Sequence, residues 1–190
     1  MADRFAGDKK VGSSLLSKPE RLFVDWAVPK LPQWITSRGL TMMTVLWSAG
    51  IIMTGYLAST ESFGFLWIIS ACIFFQWLTD SLDGSLGKYQ NAGWIKWGYY
   101  MDHFLDYIFL CSILVAYSFI LPPTFTFHLF ALLVVLGAFM VNSFLAFAAT
   151  NTFKIHYLGI GPTEIRILFI IINTLLALFG KTYMGAVLPY

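Results

Sequence analysis

Five long apolar segments follow one another along this chain, and they constrain its fold more than any other feature. They lie at roughly residues 40–58, 63–86, 95–120, 125–149 and 163–179. Each is close to or above the about 20 residues that a helix needs to cross the hydrocarbon of a bilayer. The pattern therefore predicts an all-α integral membrane protein with five transmembrane helices. The tail from Lys181 to Tyr190 leaves room for only a short sixth helix.

The composition agrees with a chain that is solvated largely by lipid. Of 190 residues, 58% are hydrophobic and only 12% are charged, whereas soluble domains carry about 25% charged residues. The net charge of +2 comes without a basic cluster between aromatic residues, so the sequence gives no support to nucleic-acid binding. The first 36 residues are expected to form a cytosolic segment, and residues 37–190 a membrane-embedded catalytic domain. Within that segment, residues 19–30 carry Leu22, Phe23 and Trp26 on one helical face, which predicts an amphipathic helix in the membrane interface.

Lysine and arginine are distributed unequally between the two ends of the spans. Seven of the 12 precede the first span, and the first and third loops carry none. The second loop carries Lys88 and Lys96, and the fourth region carries Lys154 and Arg166. Because cytosolic loops are enriched in positive charge, the N-terminus and the even-numbered loops are expected in the cytosol.

Four aspartates lie inside predicted spans, where an unpaired charge is costly and usually functional. Asp80 and Asp83 lie near the end of the second span, and Asp102 and Asp106 near the start of the third. Their i, i+3 and i, i+4 spacings place each pair on one helix face. We expect the two spans to be antiparallel neighbours. The four carboxylates would then meet about 12 to 15 Å from Lys88 and Lys96, near the cytosolic surface.

Such a cluster requires cations, because four carboxylates cannot remain ionised together in a low dielectric. An all-oxygen set favours Mg²⁺, Mn²⁺ or Ca²⁺ over zinc, and two such ions could polarise a phosphate group. Gly84, Gly87 and Gly98 lie on or near the carboxylate faces. A glycine there either lets a ligand approach the backbone or allows tight helix packing. Beside the aspartates, the ligand pocket is the favoured interpretation.

The spacing of these residues resembles a known family signature. Residues 80–106 read Asp-x2-Asp-Gly-x2-Gly-Lys-x9-Gly-x3-Asp-x3-Asp. This closely resembles D-x2-D-G-x2-A-R-x8-9-G-x3-D-x3-D of the CDP-alcohol phosphotransferase family, with Gly87-Lys88 in place of Ala-Arg. Residues 32–36 are similar to the family's P-N-x-[IL]-T, with Gln33 replacing Asn. Asp102-His103 and the G-P-T-E at 161–164 resemble the choline/ethanolaminephosphotransferase branch. The family core has six helices.

The resemblance implies roles for individual residues. Two divalent cations, Mg²⁺ or Mn²⁺ with Ca²⁺ as a substitute or inhibitor, would be held by Asp80, Asp83, Asp102 and Asp106. The CDP-linked donor would be bound by Gly84, Gly87, Lys88, Gly98, Thr36 and Gln33. Asp106 would be the general base, with His103 and Glu164 as rivals, since an aspartate bound to two cations is a poor base. The resemblance also implies a homodimer.

The reaction implied is attack of an alcohol on the β-phosphorus of a CDP-linked donor, with release of CMP. The two branch motifs favour transfer of phosphocholine or phosphoethanolamine to diacylglycerol. The alternative is transfer from CDP-diacylglycerol to inositol phosphate, glycerol phosphate or serine, for which Lys154 and Arg166 are available to bind an acceptor phosphate. Two other functions are also compatible with the sequence: a cation or proton transporter, and an inactive relative that serves as a scaffold.

Overall fold

The computed structural model describes residues 14–150 and 161–187, and within these ranges every regular element is helical. Short 3-10 turns at Val28–Lys30, Phe63–Phe65 and Pro123–Phe125 adjoin the longer helices. The α-helices in chain order are α1 (Ser17–Ala27), α2 (Ser37–Thr60), α3 (Leu66–Tyr89), α4 (Ile95–Ile120), α5 (Thr126–Thr150) and α6 (Pro162–Val187).

Helices α2 to α6 are each long and apolar enough to cross a membrane, which confirms the five predicted spans. The last helix is longer than the sequence indicated. It continues without a break beyond residue 179 to Val187, since the first proline after residue 179 is Pro189. The described residues therefore contain no separate sixth span.

Helix α1 confirms the predicted N-terminal helix and shows two different apolar sides. Val24 and Val28 are buried against Leu82 and Leu86 of α3. Trp26 faces outward, like Leu22. Its ring lies 6.3 Å from the Phe23 ring and 3.4 Å from the Lys30 ammonium group, measured from the ring centroid. An outward apolar side suits a helix that lies against lipid headgroups. Its position in the interface stays a prediction.

Helix α2 is the centre of the bundle, because it packs against both α3 and α4. A close crossing joins Gly55 of α2 to Ala116 of α4, where a Cβ on the glycine would lie 2.5 Å from the Cβ of the alanine. The expectation that α3 and α4 pack side by side was wrong: α2 and α6 are the principal neighbours of α3. A short link joins α3 to α4 through Asn91 and Gly93, both with positive φ, but it does not bring the two helices into close contact along their length.

A polar network fastens the end of the bundle that lies away from the aspartates. Tyr117 Oη donates a hydrogen bond to Asn173 Oδ1 at 2.9 Å, and Asn173 Nδ2 donates to Ser70 Oγ at 3.2 Å. The three residues belong to α4, α6 and α3 and are buried. Helix α5 packs against α4 and leaves most of its side chains on the outer surface. The core is therefore formed by α2, α3, α4 and α6.

Candidate metal centre

Three of the four predicted metal ligands converge at one end of the bundle, which we call the carboxylate end. Asp80 of α3 and Asp102 and Asp106 of α4 each offer an oxygen, and these atoms lie within 4.8 Å of one another. Oxygen ligands of one divalent ion lie about 2.0 to 2.6 Å from it, so small side-chain movements would place all three around a cation. The donor set is all oxygen, and it fits Mg²⁺ or Mn²⁺.

Asp83, the fourth predicted ligand, lies on a different side of α3. Its carboxylate is buried, and Oδ2 accepts a short hydrogen bond from Thr41 Oγ1 of α2. The i, i+3 spacing rotates Asp83 away from Asp80 by about one-sixth of a turn, towards α2. The structure therefore places Asp83 beside the three-carboxylate group and outside it. Thr41 went unnoticed in the sequence, although Thr41, Thr44 and Ser48 form a small polar stripe at helical spacing.

A buried arginine lies within the carboxylate group. Arg166 of α6 is 6% exposed, and its Nη2 lies 2.9 Å from Asp80 Oδ2 and 3.1 Å from Asp106 Oδ1. Its guanidinium carbon is 5.7 Å from the ring centroid of Phe109. The arginine thereby joins α6 to α3 and α4. The sequence marked Arg166 only as an available cation, although a charge four residues into an apolar helix is itself a signal of function.

The glycines of the signature divide into two kinds. A Cβ added to Gly84 or Gly98 would meet no atom within 4 Å, so both face open space. A Cβ on Gly87 would lie 2.9 Å from Ser37 Oγ, which makes this glycine a close contact between α3 and the start of α2. Lys88 lies on a shallow groove of about 320 Å³. The groove is also lined by Asp25, Val28, Pro29, Ser85 and Tyr89.

The segment before α2 has a structural role in this conformation. Thr36 is the N-cap of α2, and its Oγ1 accepts a hydrogen bond from the Gly39 backbone N–H at 3.1 Å, which satisfies one of the free donors at the helix start. Gln90 Nε2 donates to the Ile35 carbonyl at 2.8 Å and so ties the segment to the end of α3. Gln33 is exposed.

His103, a rival for the general base, lies on the α5 side of α4. Its ring contacts Tyr99, with centroids 4.5 Å apart, and stacks on Phe144 of α5 at 5.4 Å. Nδ1 lies 3.7 Å from Asp102 Oδ2. The imidazole is thus beside the carboxylate group and linked to it through Asp102.

Glu164, the other rival, has both carboxylate oxygens engaged by backbone groups. Oε2 accepts a hydrogen bond from the Gly161 N–H at 2.9 Å, which is the reach-back bond of a capping box at the start of α6. Oε1 accepts from the Leu16 N–H at 3.0 Å, just before α1. Glu164 therefore starts one helix and holds the segment that leads into another.

A second glutamate holds α1 against the bundle. Glu20 accepts a hydrogen bond from Ser81 Oγ of α3 and another from Thr163 Oγ1 of α6, both at 2.8 Å. Glu20 therefore faces the other helices of the bundle. Because Ser81 follows Asp80 and Thr163 lies three residues before Arg166, Glu20 connects the two helices that bring these charges together.

The model of the CDP-alcohol phosphatidyltransferase family matches residues 30–189. The chain belongs to this family. A search of curated protein sequences found no match. Family membership implies transfer of a phospholipid head group from a CDP-alcohol, and the family typically uses divalent metals, in agreement with the aspartate cluster.

Proposed function

We propose that this CDP-alcohol phosphatidyltransferase transfers a substituted phosphate group from a CDP-linked donor to the hydroxyl of an acceptor and releases CMP. The convergence of Asp80, Asp102 and Asp106 from two helices carries the proposal. Beside them, Gly84 and Gly98 leave open space, as a pocket for a pyrophosphate requires. The position of the carboxylates near one end of two unbroken helices argues against a transporter, whose sites usually lie at mid-membrane between repeats or broken helices.

Asp80, Asp102 and Asp106 would hold the first divalent cation. Asp83 lies close by and would complete a second site, with Thr41 fixing its orientation. When bound, the cations supply charge neutralisation of the pyrophosphate and stabilise CMP as the leaving group. The protein's own contribution is to hold these carboxylates in place before the donor arrives, which is the main source of acceleration in phosphoryl transfer.

The proton on the acceptor hydroxyl requires a base. Asp106 is in the carboxylate group, and His103 is one residue from Asp102 and linked to it. Glu164 has the least support, because two backbone N–H groups already engage its oxygens. We propose Asp106 as the base, with His103 as the alternative. Lys88 would contact a donor phosphate from the rim of the site.

The site is proposed to face the cytosol, together with the N-terminus, because Lys and Arg are concentrated at that end of the spans. A CDP-linked nucleotide would enter from the cytosol, and the lipid substrate from the bilayer. The homodimer implied by the family resemblance stays a prediction.

Two substrate pairs are candidates, and different observations support them. Transfer of phosphocholine or phosphoethanolamine to diacylglycerol is supported by the Asp102-His103 and 161–164 motifs. Transfer from CDP-diacylglycerol to a phosphorylated small alcohol is supported by Arg166, since a guanidinium binds phosphate well and does not attract a cationic head group. The capping role of Glu164 would serve either pair. The position of Arg166 therefore adds weight to the second candidate.

In the decisive experiment, the purified protein is incubated with labelled CDP-choline, CDP-ethanolamine or CDP-diacylglycerol. Each donor is supplied with its acceptors, with and without Mg²⁺ or Mn²⁺. We expect metal-dependent CMP release from one donor class. Absence of CMP release from every donor would overturn the proposed activity. The acceptor series separates the candidates, since inositol phosphate and glycerol phosphate serve only the second.

The base is tested by comparing Asp106→Asn with His103→Ala. We expect Asp106→Asn to lower turnover at least about 100-fold, as general base catalysis contributes that much or more, and His103→Ala to have a smaller effect. If Asp106→Asn kept near-full turnover with unchanged metal occupancy, the base would have to be another residue.

A further inference from the structure

Arg166 contacts two of the three carboxylates that a divalent ion would use. Its Nη2 contacts one oxygen of Asp80 and one oxygen of Asp106, and these residues are two of the three that could hold a metal. Each carboxylate oxygen in a charge-assisted hydrogen bond has less capacity to bind a cation. A guanidinium beside a doubly charged ion also raises its energy, because like charges repel strongly at short distance in a low dielectric. The arginine and the metal therefore compete for the same carboxylates.

The arginine cannot simply move to water when a metal arrives. Arg166 is 6% exposed, and a buried charge without a partner is strongly destabilising. A displaced guanidinium thus requires another polar group inside the bundle. That group has to lie within about one helical turn of Asp80, the range an arginine side chain covers by changing rotamers.

Gln76 of α3 meets this requirement. It precedes Asp80 by four residues and so lies on the same helix face, one turn, about 5.4 Å, further from the carboxylate end. Its side chain is 0% exposed, and neither Oε1 nor Nε2 has a hydrogen-bond partner among the described residues. Unsatisfied buried amides are rare and each requires an explanation. Oε1 is an acceptor of the kind that a guanidinium N–H needs.

We propose that Arg166 is a built-in competitor that sets the affinity of the carboxylate site for divalent ions. Without metal it balances the charge of Asp80 and Asp106. When metal ions bind, the guanidinium releases Asp80 and Asp106 and donates a hydrogen bond to Gln76 Oε1, while its remaining N–H groups stay available to an acceptor phosphate. This inference rests on the metal site of the proposed function and requires no particular substrate.

The competition predicts opposite effects at the two residues. Removing the charge in Arg166→Met removes the competitor, so metal should bind more tightly, by about tenfold or more, equivalent to ~1.4 kcal/mol. Removing the receiving amide in Gln76→Leu makes displacement of Arg166 costlier, so metal should bind more weakly, on the order of threefold. A residue with a merely structural role would weaken metal binding when it is lost.

The experiment titrates the purified full-length protein in detergent micelles with Mn²⁺ and measures free Mn²⁺ by electron paramagnetic resonance. Arg38→Met is the matched control, because it removes the same charge from an exposed arginine that packs on Trp94 and Trp97, and Mn²⁺ affinity should stay within about twofold. Thermal unfolding without metal should show a lower midpoint for Arg166→Met. For Gln76→Leu the midpoint should be unchanged or higher, since an unsatisfied amide is removed.

Unchanged or weaker Mn²⁺ binding by folded Arg166→Met would overturn the inference. If that variant did not fold, unchanged Mn²⁺ binding by Gln76→Leu would overturn it instead. Absence of Mn²⁺ binding by the wild-type protein would overturn the proposed metal site. Wild-type binding without the opposite shifts would overturn only the competition, and the proposed activity would stand.

Discussion

The two ends of this helix bundle are built from similar residues in opposite ways. At the far end, Gly55 allows α2 to touch Ala116, and a buried network around Asn173 joins three helices. At the carboxylate end, Gly84 and Gly98 face open space, and the aspartates of α3 and α4 meet although these two helices make little contact along their length.

This difference shows how one fold separates stability from binding. The far end gains stability from close packing and satisfied hydrogen bonds, the main forces between helices in lipid. The carboxylate end gathers three carboxylates around one guanidinium, so a net negative charge remains that is unfavourable until metal cations bind. A substitution at the far end should therefore change stability with little effect on activity. A substitution at the carboxylate end should change metal binding or activity, whether or not stability also changes.

Asp102→Asn should have the largest effect. Loss of one carboxylate from the metal site should lower CMP release at least about 100-fold, a typical cost of removing a group that stabilises the transition state. Stability without metal should be unchanged or higher, because the variant has one negative charge fewer in the cluster. The measurements are CMP release and thermal unfolding. Glu61→Gln, which removes an exposed negative charge at the far end, should leave both unchanged.

The same glycine-to-alanine change should give different results at the two ends. At Gly55 the new Cβ would collide with Ala116, and overpacking costs about 1 to 3 kcal/mol. At Gly84 the Cβ has room, and alanine favours a helix by about 0.5 to 1 kcal/mol, so stability should not fall. Gly84→Ala should instead raise KM for the CDP-linked donor. Equal losses of thermal stability in the two variants would contradict the comparison.

Thr41→Val should show an effect of intermediate size. It removes the hydroxyl that donates to Asp83, and hydrogen bonds to charged groups contribute about 1.5 to 3 kcal/mol. Unfolding midpoints and Mn²⁺ affinity should both fall. Thr54→Val is the control at the far end, because among the described residues its hydroxyl bonds to backbone carbonyls of its own helix. If Thr54→Val weakened Mn²⁺ binding as much, the effect would not depend on Asp83.

Tyr117→Phe should have the smallest effect. It deletes the hydrogen bond to Asn173, and such bonds in membrane proteins contribute about 0.6 kcal/mol on average. Thermal stability should fall slightly, and CMP release at saturating substrate should not change. A clear loss of turnover would show that the two ends are coupled.

The sequence predicted the helices and the carboxylate cluster because both depend on local spacing. Apolar length defines a span, and i, i+3 or i, i+4 spacing defines a face. Neither property says which helix packs beside which. The insertion of α2 against α3 and α4 was therefore missed, and so was the approach of Arg166, which comes from a helix 86 residues away from Asp80 in the chain.

The signature residues show a second limit of sequence reasoning. Gly84 follows Asp80 by four residues and Gly87 follows Asp83 by four, yet Gly84 faces open space and Gly87 touches Ser37. The sequence marked Glu164 only as a candidate base, and it gave no sign that the two carboxylate oxygens cap α6 and bind the segment before α1. A motif identifies which residues matter, and only the packing around each residue assigns its contact.

The two hydrogen bonds that Glu20 accepts from Ser81 and Thr163 make α1 part of the folded unit that holds the site. The family match starts at residue 30, after α1, so the region of detectable similarity leaves Glu20 out. A protein trimmed to that region would lose the link between the helices that carry Asp80 and Arg166. The region that matches the family and the region that holds the site together therefore begin at different residues. A minimal expressed form should begin before Ser14, whose side chain hydrogen-bonds to Glu164.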